Sequence, residues 1–290
     1  MGLALRHPQA RCMTAALEAR GLVKKFGGFV ATDGVSLSVA PGARHALIGP
    51  NGAGKTTLVN LLTGFLAPTA GSVWLGGADV TRSAQHRRVK RGLARTFQIN
   101  RLFADMSVLE SVTMAVCERQ GSAAHWWKSI GAHAQAVDAA AELLARLHLL
   151  DVAHAKTKEL AYGKQRLIEI ALALATEPTV LLLDEPAAGV PTGESRELFE
   201  TLLQLPRSVT IVLIEHDMDL VFRFAERISV MVSGAVLTEG TPAEIAADAR
   251  VREVYLGQAP LGATAGRRAA ESPAAPPPGA AADGSVGLHE

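Results

Sequence analysis

With 290 residues, 48% of them hydrophobic and 20% charged, the chain carries enough apolar material for a large core and reads as globular. A formal net charge of +1 offers no global attraction to nucleic acid, and two cysteines, Cys12 and Cys117, exclude a disulfide framework and a paired-cysteine metal site. No apolar run approaches the roughly 18 residues of a bilayer-crossing helix, and the N-terminal stretch lacks a signal-peptide core, so a reducing, cytoplasmic setting is expected, with any membrane role exercised through a partner.

Residues 1–16 show no periodic pattern and read as a flexible extension, with Met13 a second candidate start. The segments LEARGLVKKF and GVSLSVAPG then read as short strands of a small antiparallel sheet that contains Phe26. Between a short run at 45–48 and a helical pattern at 57–65 stand Gly49, Pro50, Asn51, Gly52, Ala53, Gly54, Lys55, Thr56 and Thr57, which fit the string G-x-x-x-x-G-K-[ST]. The glycines of such a turn let backbone N–H groups face inward around phosphate oxygens, and the following helix aims its positive end at the same anion. Lys55 reaches the β- and γ-phosphates, and the Thr56 hydroxyl completes the oxygen shell of Mg²⁺. The expected ligand is a nucleoside triphosphate with magnesium.

Further along, Gly64 reads as a helix stop and GSVWLGGADV as a strand and turn. Arg87, Arg88, Lys90, Arg91 and Arg95 make the next stretch locally basic, a pattern expected of a solvated face. Beyond residue 100 the character changes. Leu143, Leu144, Leu147 and Leu150 fall on one helical stripe, so an α-helical subdomain over about residues 100–165 is expected to be inserted into the α/β core, with Trp126 and Trp127 either packed inside it, the favoured reading, or touching a partner. Two continuous apolar runs follow, 180–183 ending in Asp184 and Glu185, and 210–213 ending in Ile214, Glu215 and His216. Such runs predict buried parallel strands in a helix-covered sheet, whose carboxyl ends collect ligands. A hairpin-like ISVMVSGAVLTEG and a short helical segment precede an Ala-, Gly- and Pro-rich tail, 258–290, which is expected to be disordered.

An aspartate closing an apolar strand suits a second magnesium contact, which is the place of Asp184. Glu185 beside it can hold the attacking water and accept its proton, because a carboxylate in a dry cleft gains proton affinity. His216, at the end of the other strand, can donate to the γ-phosphate. His86, His125 and His148 show no ligand spacing.

The ordered series Phe26, GPNGAGKTT, Arg95-Thr96-Phe97-Gln98, LAYGKQR from Leu160, LLLDEP and IEHDM closely resembles the ATP-binding cassette (ABC) ATPases over residues 17–257. The stretches RTFQINRLF, LAYGKQRLIEIA, DEPAAGV and VREVYLG are similar to the ATP-binding subunits of branched-chain amino acid importers. The resemblance implies a P-loop NTPase core with a small antiparallel β-subdomain and an inserted α-helical subdomain. It also implies that Phe26 stacks on adenine, with Phe29 a nearby rival, and that Gln98 touches both the magnesium and the attacking water. Ala161, Tyr162 and Gly163 would close over the ATP of a second cassette. Ala161 replaces the general family's serine, Tyr162 and Lys164 depart from its glycine and glutamine, and Pro191 stands where many cassettes place an aspartate. The implied partners are two membrane permease subunits, a second and non-identical cassette, and indirectly a solute-binding protein, at the cytoplasmic face of the membrane and without nucleic acid. A soluble ABC ATPase acting on nucleic acid or ribosomes through the Arg87–Arg95 cluster is the alternative. A small-molecule kinase accounts for the phosphate loop but not for Gln98, LAYGK, Glu185 and His216.

Overall fold

A computed structural model describes residues 14–96, 105–121 and 134–255. Gln98, Trp126, Trp127, the N-terminal residues 1–13 and the tail lie outside them. The strands in chain order are β1 (Leu17–Phe26), β2 (Phe29–Val39), β3 (Arg44–Ile48), β4 (Ala70–Leu75), β5 (Ala78–Asp79), β6 (Leu93–Arg95), β7 (Val180–Asp184), β8 (Thr210–Ile214), β9 (Arg227–Val232) and β10 (Ala235–Gly240). The helices are α1 (Lys55–Thr63), α2 (Gln85–Lys90), α3 (Val108–Arg119), α4 (Ala134–Arg146), α5 (Tyr162–Leu174), α6 (Thr192–Leu203), α7 (Met218–Phe224), α8 (Pro242–Ala247) and α9 (Ala249–Tyr255).

Two sheets result. The smaller has the order β2-β1-β4-β5 and is antiparallel throughout, with β1 and β2 paired from Leu17 opposite Val39 to Phe26 opposite Phe29 through register shifts between Ala19 and Lys25. The larger has the order β10-β9-β3-β8-β7-β6; its pairs are parallel except for the edge pair β10 and β9. Parallel strands need both faces covered, and the residues of β7 and β8 divide accordingly. Leu181, Leu183, Ile211 and Leu213 enter the core shared with α3, α4, α5 and α6, whereas Val180, Leu182, Val212 and Ile214 enter the one shared with α1 and the smaller sheet. A third core joins Ala46, Ile48 and Ile228 to α7, α8 and α9. Since β3, β6, β7 and β8 run in one direction, the phosphate loop, Arg95, Asp184 and Glu215 emerge at the same edge of the sheet.

One expectation about the helical region is corrected. Leu144 and Leu147 are fully buried, but Leu150 is half exposed and Leu149 takes the inward place. The helix stops at Arg146 and the chain turns through His148 in a left-handed conformation, φ 56°, which advances the buried position by one residue. Extrapolating a 3.6-residue period past a helix end misplaces the next side chain.

Within β3, His45 is buried, and its Nε2 lies 2.8 Å from Ser229 Oγ. The single proton of Ser229 is donated to Glu239 Oε2, so the Ser229 oxygen accepts from an Nε2–H of His45. Burial pushes its pKa down to about 4; Glu239 opposes the shift and Arg227 adds to it. Below about pH 6.5 the unfolded chain takes up a proton that the folded one refuses until about pH 4. His45 therefore contributes its full share above pH 6.5 and costs stability as pH falls through that window, to a limit of about 3 kcal/mol. Urea unfolding at intervals between pH 7 and 4 is expected to show His45→Gln losing less stability than the wild type. Equal losses contradict the assignment.

Candidate active site

The loop joining β3 to α1 is shaped by close backbone approaches. A Cβ at Gly49 would lie 2.3 Å from the Met231 carbonyl oxygen, and one at Gly54, where φ is 96°, would lie 2.5 Å from that of Ala31. The Gly234 N–H, in the turn between β9 and β10, donates to Ala53 O at 3.0 Å and holds the loop from behind. Lys55 Nζ donates to Gly49 O at 2.8 Å and Pro50 O at 3.1 Å, folding its stem along the loop. Burial lowers the Lys55 pKa, and Glu185 and Asp184 oppose that shift, which places both carboxylates in the electrostatic range of the ammonium.

Asp184 ends β7 with its side chain buried, and Arg95 Nη2 donates to its Oδ2 at 2.6 Å. The same guanidinium donates from Nη1 to Asn60 Oδ1 on α1 at 2.7 Å, linking the loop helix to the strand that carries the aspartate. Glu185 follows in a left-handed conformation, φ 47°, with its N–H bonded to Ile214 O at 2.8 Å. A non-glycine residue held in that region costs of order 1–3 kcal/mol, a strain that concentrates where a side chain must be aimed. His216 leaves the adjacent strand with its ring largely exposed, while Glu215 before it is buried.

The tip of the first hairpin carries Phe26 and Phe29, paired opposite one another and both exposed, with Lys24 Nζ 5.1 Å from the Phe26 ring centre. Ala161 is the N-cap of α5, and Tyr162 and Gly163 form its first turn. Gly163 bonds to α6, and Tyr162 bonds to Arg166 within α5 itself. Gly163 N–H donates to Glu194 Oε2 at 2.8 Å, Arg166 Nη2 donates to Tyr162 Oη at 2.8 Å, and Pro191 caps α6. Thr56 lies exposed in the first turn of α1, and Thr57 follows it, half buried.

Sequence reasoning missed four contacts of this region. Arg95 stands in a motif and in the basic stretch, Glu215 at a strand end and Glu194 in no sequence pattern, and none of these announces the partners it meets. Tyr255 in α9 is the fourth: it packs against the core of Ile48 and Ile228, and burial pushes its hydroxyl up to about 12 against a backbone hydrogen bond from Gly49. The basic stretch is also less of a surface than its composition implies, because Arg88 is buried on backbone carbonyls and Arg95 is engaged with Asp184.

The donors fit magnesium. They are hard oxygens, the Thr56 hydroxyl and the Asp184 carboxylate, and no group of three or more His, Cys, Asp or Glu side chains suited to a metal occurs among the described residues. A cation that keeps water and substrate phosphates as ligands needs only one or two protein oxygens.

A glycine-rich loop running from β3 into Lys55 of α1, at the carboxyl edge of a parallel sheet where Asp184 ends β7, defines a P-loop nucleoside triphosphatase. Residues 32–188 match the family described as ABC transporter, and residues 235–260 match that described as branched-chain amino acid ATP-binding cassette transporter. The chain is 41% identical over 250 residues to the high-affinity branched-chain amino acid transport ATP-binding protein LivG of Escherichia coli K12, covering 84% of this chain and 98% of that one. It is 39% identical to the corresponding protein BraF of Pseudomonas aeruginosa, with the same coverage. Among solved structures, an ATP-binding cassette of an ABC transporter in its ADP conformation superposes with a TM-score of 0.75 at 33% identity, over 84% of this chain and 99% of that one. A nucleotide-free cassette gives 0.73 at 33% identity, over 84% and 100%. The chain belongs to the ATP-binding subunits of ABC transporters and is an ATPase.

Proposed function

We propose that this chain powers uptake of a small solute, branched-chain amino acids first among them, from the cytoplasmic face of the cell membrane. Two permease subunits carry the solute, a second, non-identical cassette completes the ATP sites, and a solute-binding protein delivers the cargo. The observation that carries the solute class is the match over residues 235–260, whose Tyr255 reaches Gly49 of the phosphate loop. Among the described residues no helix is long and apolar enough to cross a membrane, in keeping with separate permeases.

In this reading the loop from Gly49 to Thr57 cradles the phosphates and Phe26 stacks on adenine. Thr56, Gln98 and Asp184 hold Mg²⁺, which when bound neutralises phosphate charge. Glu185 accepts the proton of the attacking water, and His216 donates to the γ-phosphate. Ala161, Tyr162 and Gly163 cover the ATP of the second cassette. The Glu194 carboxylate holds the Gly163 N–H in this chain, so closure exchanges that bond for one to phosphate. The body spans 17–257, with a helical subdomain near 100–165 and the 258–290 tail outside the motor.

Each site then depends on a covering segment from another chain. Turnover by the purified chain is expected to be weak and to rise when permeases and the second cassette are co-expressed. Reconstituted vesicles are expected to accumulate leucine, isoleucine or valine only with ATP and the binding protein. Full turnover by the diluted, monomeric chain overturns the shared-site reading, and ATP-driven uptake of an unrelated solute alone overturns the solute class.

A further inference from the structure

Glu215 is buried to 1% exposure at the end of β8, between the two catalytic segments. Its Oε1 accepts from the Ala187 N–H at 3.0 Å, and its Oε2 accepts from the His216 N–H at 3.1 Å. Pro186 has no N–H, so Ala187 supplies the first donor after Glu185, whose own N–H is bonded to Ile214 O. The His216 Nδ1 stands 3.6 Å from Oε2, and the rest of the ring is exposed. Burial raises the Glu215 pKa, and the N–H groups of Ala187 and His216 act against it.

A carboxylate is an expensive way to fill a buried position, since desolvating it costs several kcal/mol and an apolar side chain of similar volume packs there without that penalty. Both of its oxygens are spent on backbone donors from the loops that carry Glu185 and His216.

We propose that Glu215 is a positioning residue for ATP hydrolysis, clasping the His216 segment to the loop after Glu185 through the backbone N–H groups of His216 and Ala187. The proposal rests on the roles given above to Glu185 and His216. It goes beyond them in making the two segments one unit, held by a buried carboxylate.

The test uses the full-length chain with Glu215→Gln, His216→Ala and the double variant, measuring ATP turnover and KM in the complex with permeases. Glutamine keeps the volume, but its amide NH₂ faces one of the two backbone donors, so half of the clasp is lost. Expected are a fall in kcat of about 10-fold or more for Glu215→Gln, an unchanged KM, and a double variant no slower than His216→Ala, the non-additivity of residues acting as a unit. Glu215→Asp, which keeps the charge, is expected to recover part of the loss. An impaired His216→Ala combined with an unaffected Glu215→Gln, or with fully additive losses, overturns the role of Glu215 alone. Wild-type turnover by His216→Ala overturns the role of His216 and this proposal with it.

Discussion

Glu185→Gln lowers steady-state ATP hydrolysis by about 10²-fold or more while nucleotide affinity stays near that of the wild type, the expected signature of removing a general base. The amide keeps the size of the carboxylate and the left-handed turn that aims it, and the backbone bond to Ile214 is untouched. What disappears is the capacity to accept a proton from water. Asp184 is poorly placed to take over, because it is buried and already bound to Arg95. ATP binding then proceeds without release, so the glutamine variant is expected to accumulate as an ATP-dependent pair of cassettes. Lys55→Ala should fail differently, by weakening nucleotide binding itself, since in the proposed reading Lys55 is the charge that the loop offers to the phosphates. Equilibrium nucleotide binding, turnover and light scattering with ATP on both variants separate the two defects. Near-normal turnover in Glu185→Gln removes Glu185 from the catalytic role.

The largest expected loss of stability belongs to Arg88, far from any phosphate. Its guanidinium is buried at 1% exposure and donates to four backbone carbonyls: Leu61 O at 2.8 Å, Leu62 O at 2.6 Å, Thr81 O at 2.9 Å and Ser83 O at 3.1 Å. The first two belong to the last turn of α1, where carbonyls lack helical partners and a positive charge complements the helix dipole. Gly64 allows the approach, since a Cβ there would stand 2.7 Å from Arg88 Nε. Arg88→Ala removes these donors from a dry interior, where Leu61 O keeps the Gly64 N–H, and opens a cavity, with an expected cost of about 3–5 kcal/mol. For a domain of this size that corresponds to a fall in Tm of roughly 10 °C. Arg88→Lys, with three donors instead of a planar fork, should recover part of it. Urea unfolding of both variants checks the size, and a cost under about 1 kcal/mol for Arg88→Ala contradicts this account of how the loop helix is anchored.

The features legible in the sequence are those written in consecutive residues. The phosphate loop is a local string whose backbone geometry follows from its glycines. The strands β7 and β8 announce themselves by unbroken apolar runs, and the polar residues that end them mark the edge of the sheet. The hairpin of β1 and β2, the helix stop at Gly64 and the pair of β9 and β10 follow from turn residues and period-2 patterns in the same way.

By itself, then, the sequence determined the class of protein, the order of its motifs, and the strand ends at which its carboxylates stand, because short-range backbone preferences and apolar periodicity act within a few residues. Only the tertiary structure decided which side chains those motif residues meet. Arg95 finds Asp184 across 89 positions, Arg88 the carbonyls of α1 across 26 and 27, and Glu194 the Gly163 N–H across 31. The inward place of Leu149 and the reach of Glu215 to Ala187 were likewise set by how elements abut. No periodicity encodes such pairs. They depend on parallel register, on where helices stop, and on the need of each buried polar group for a partner wherever packing brings one within about 3 Å.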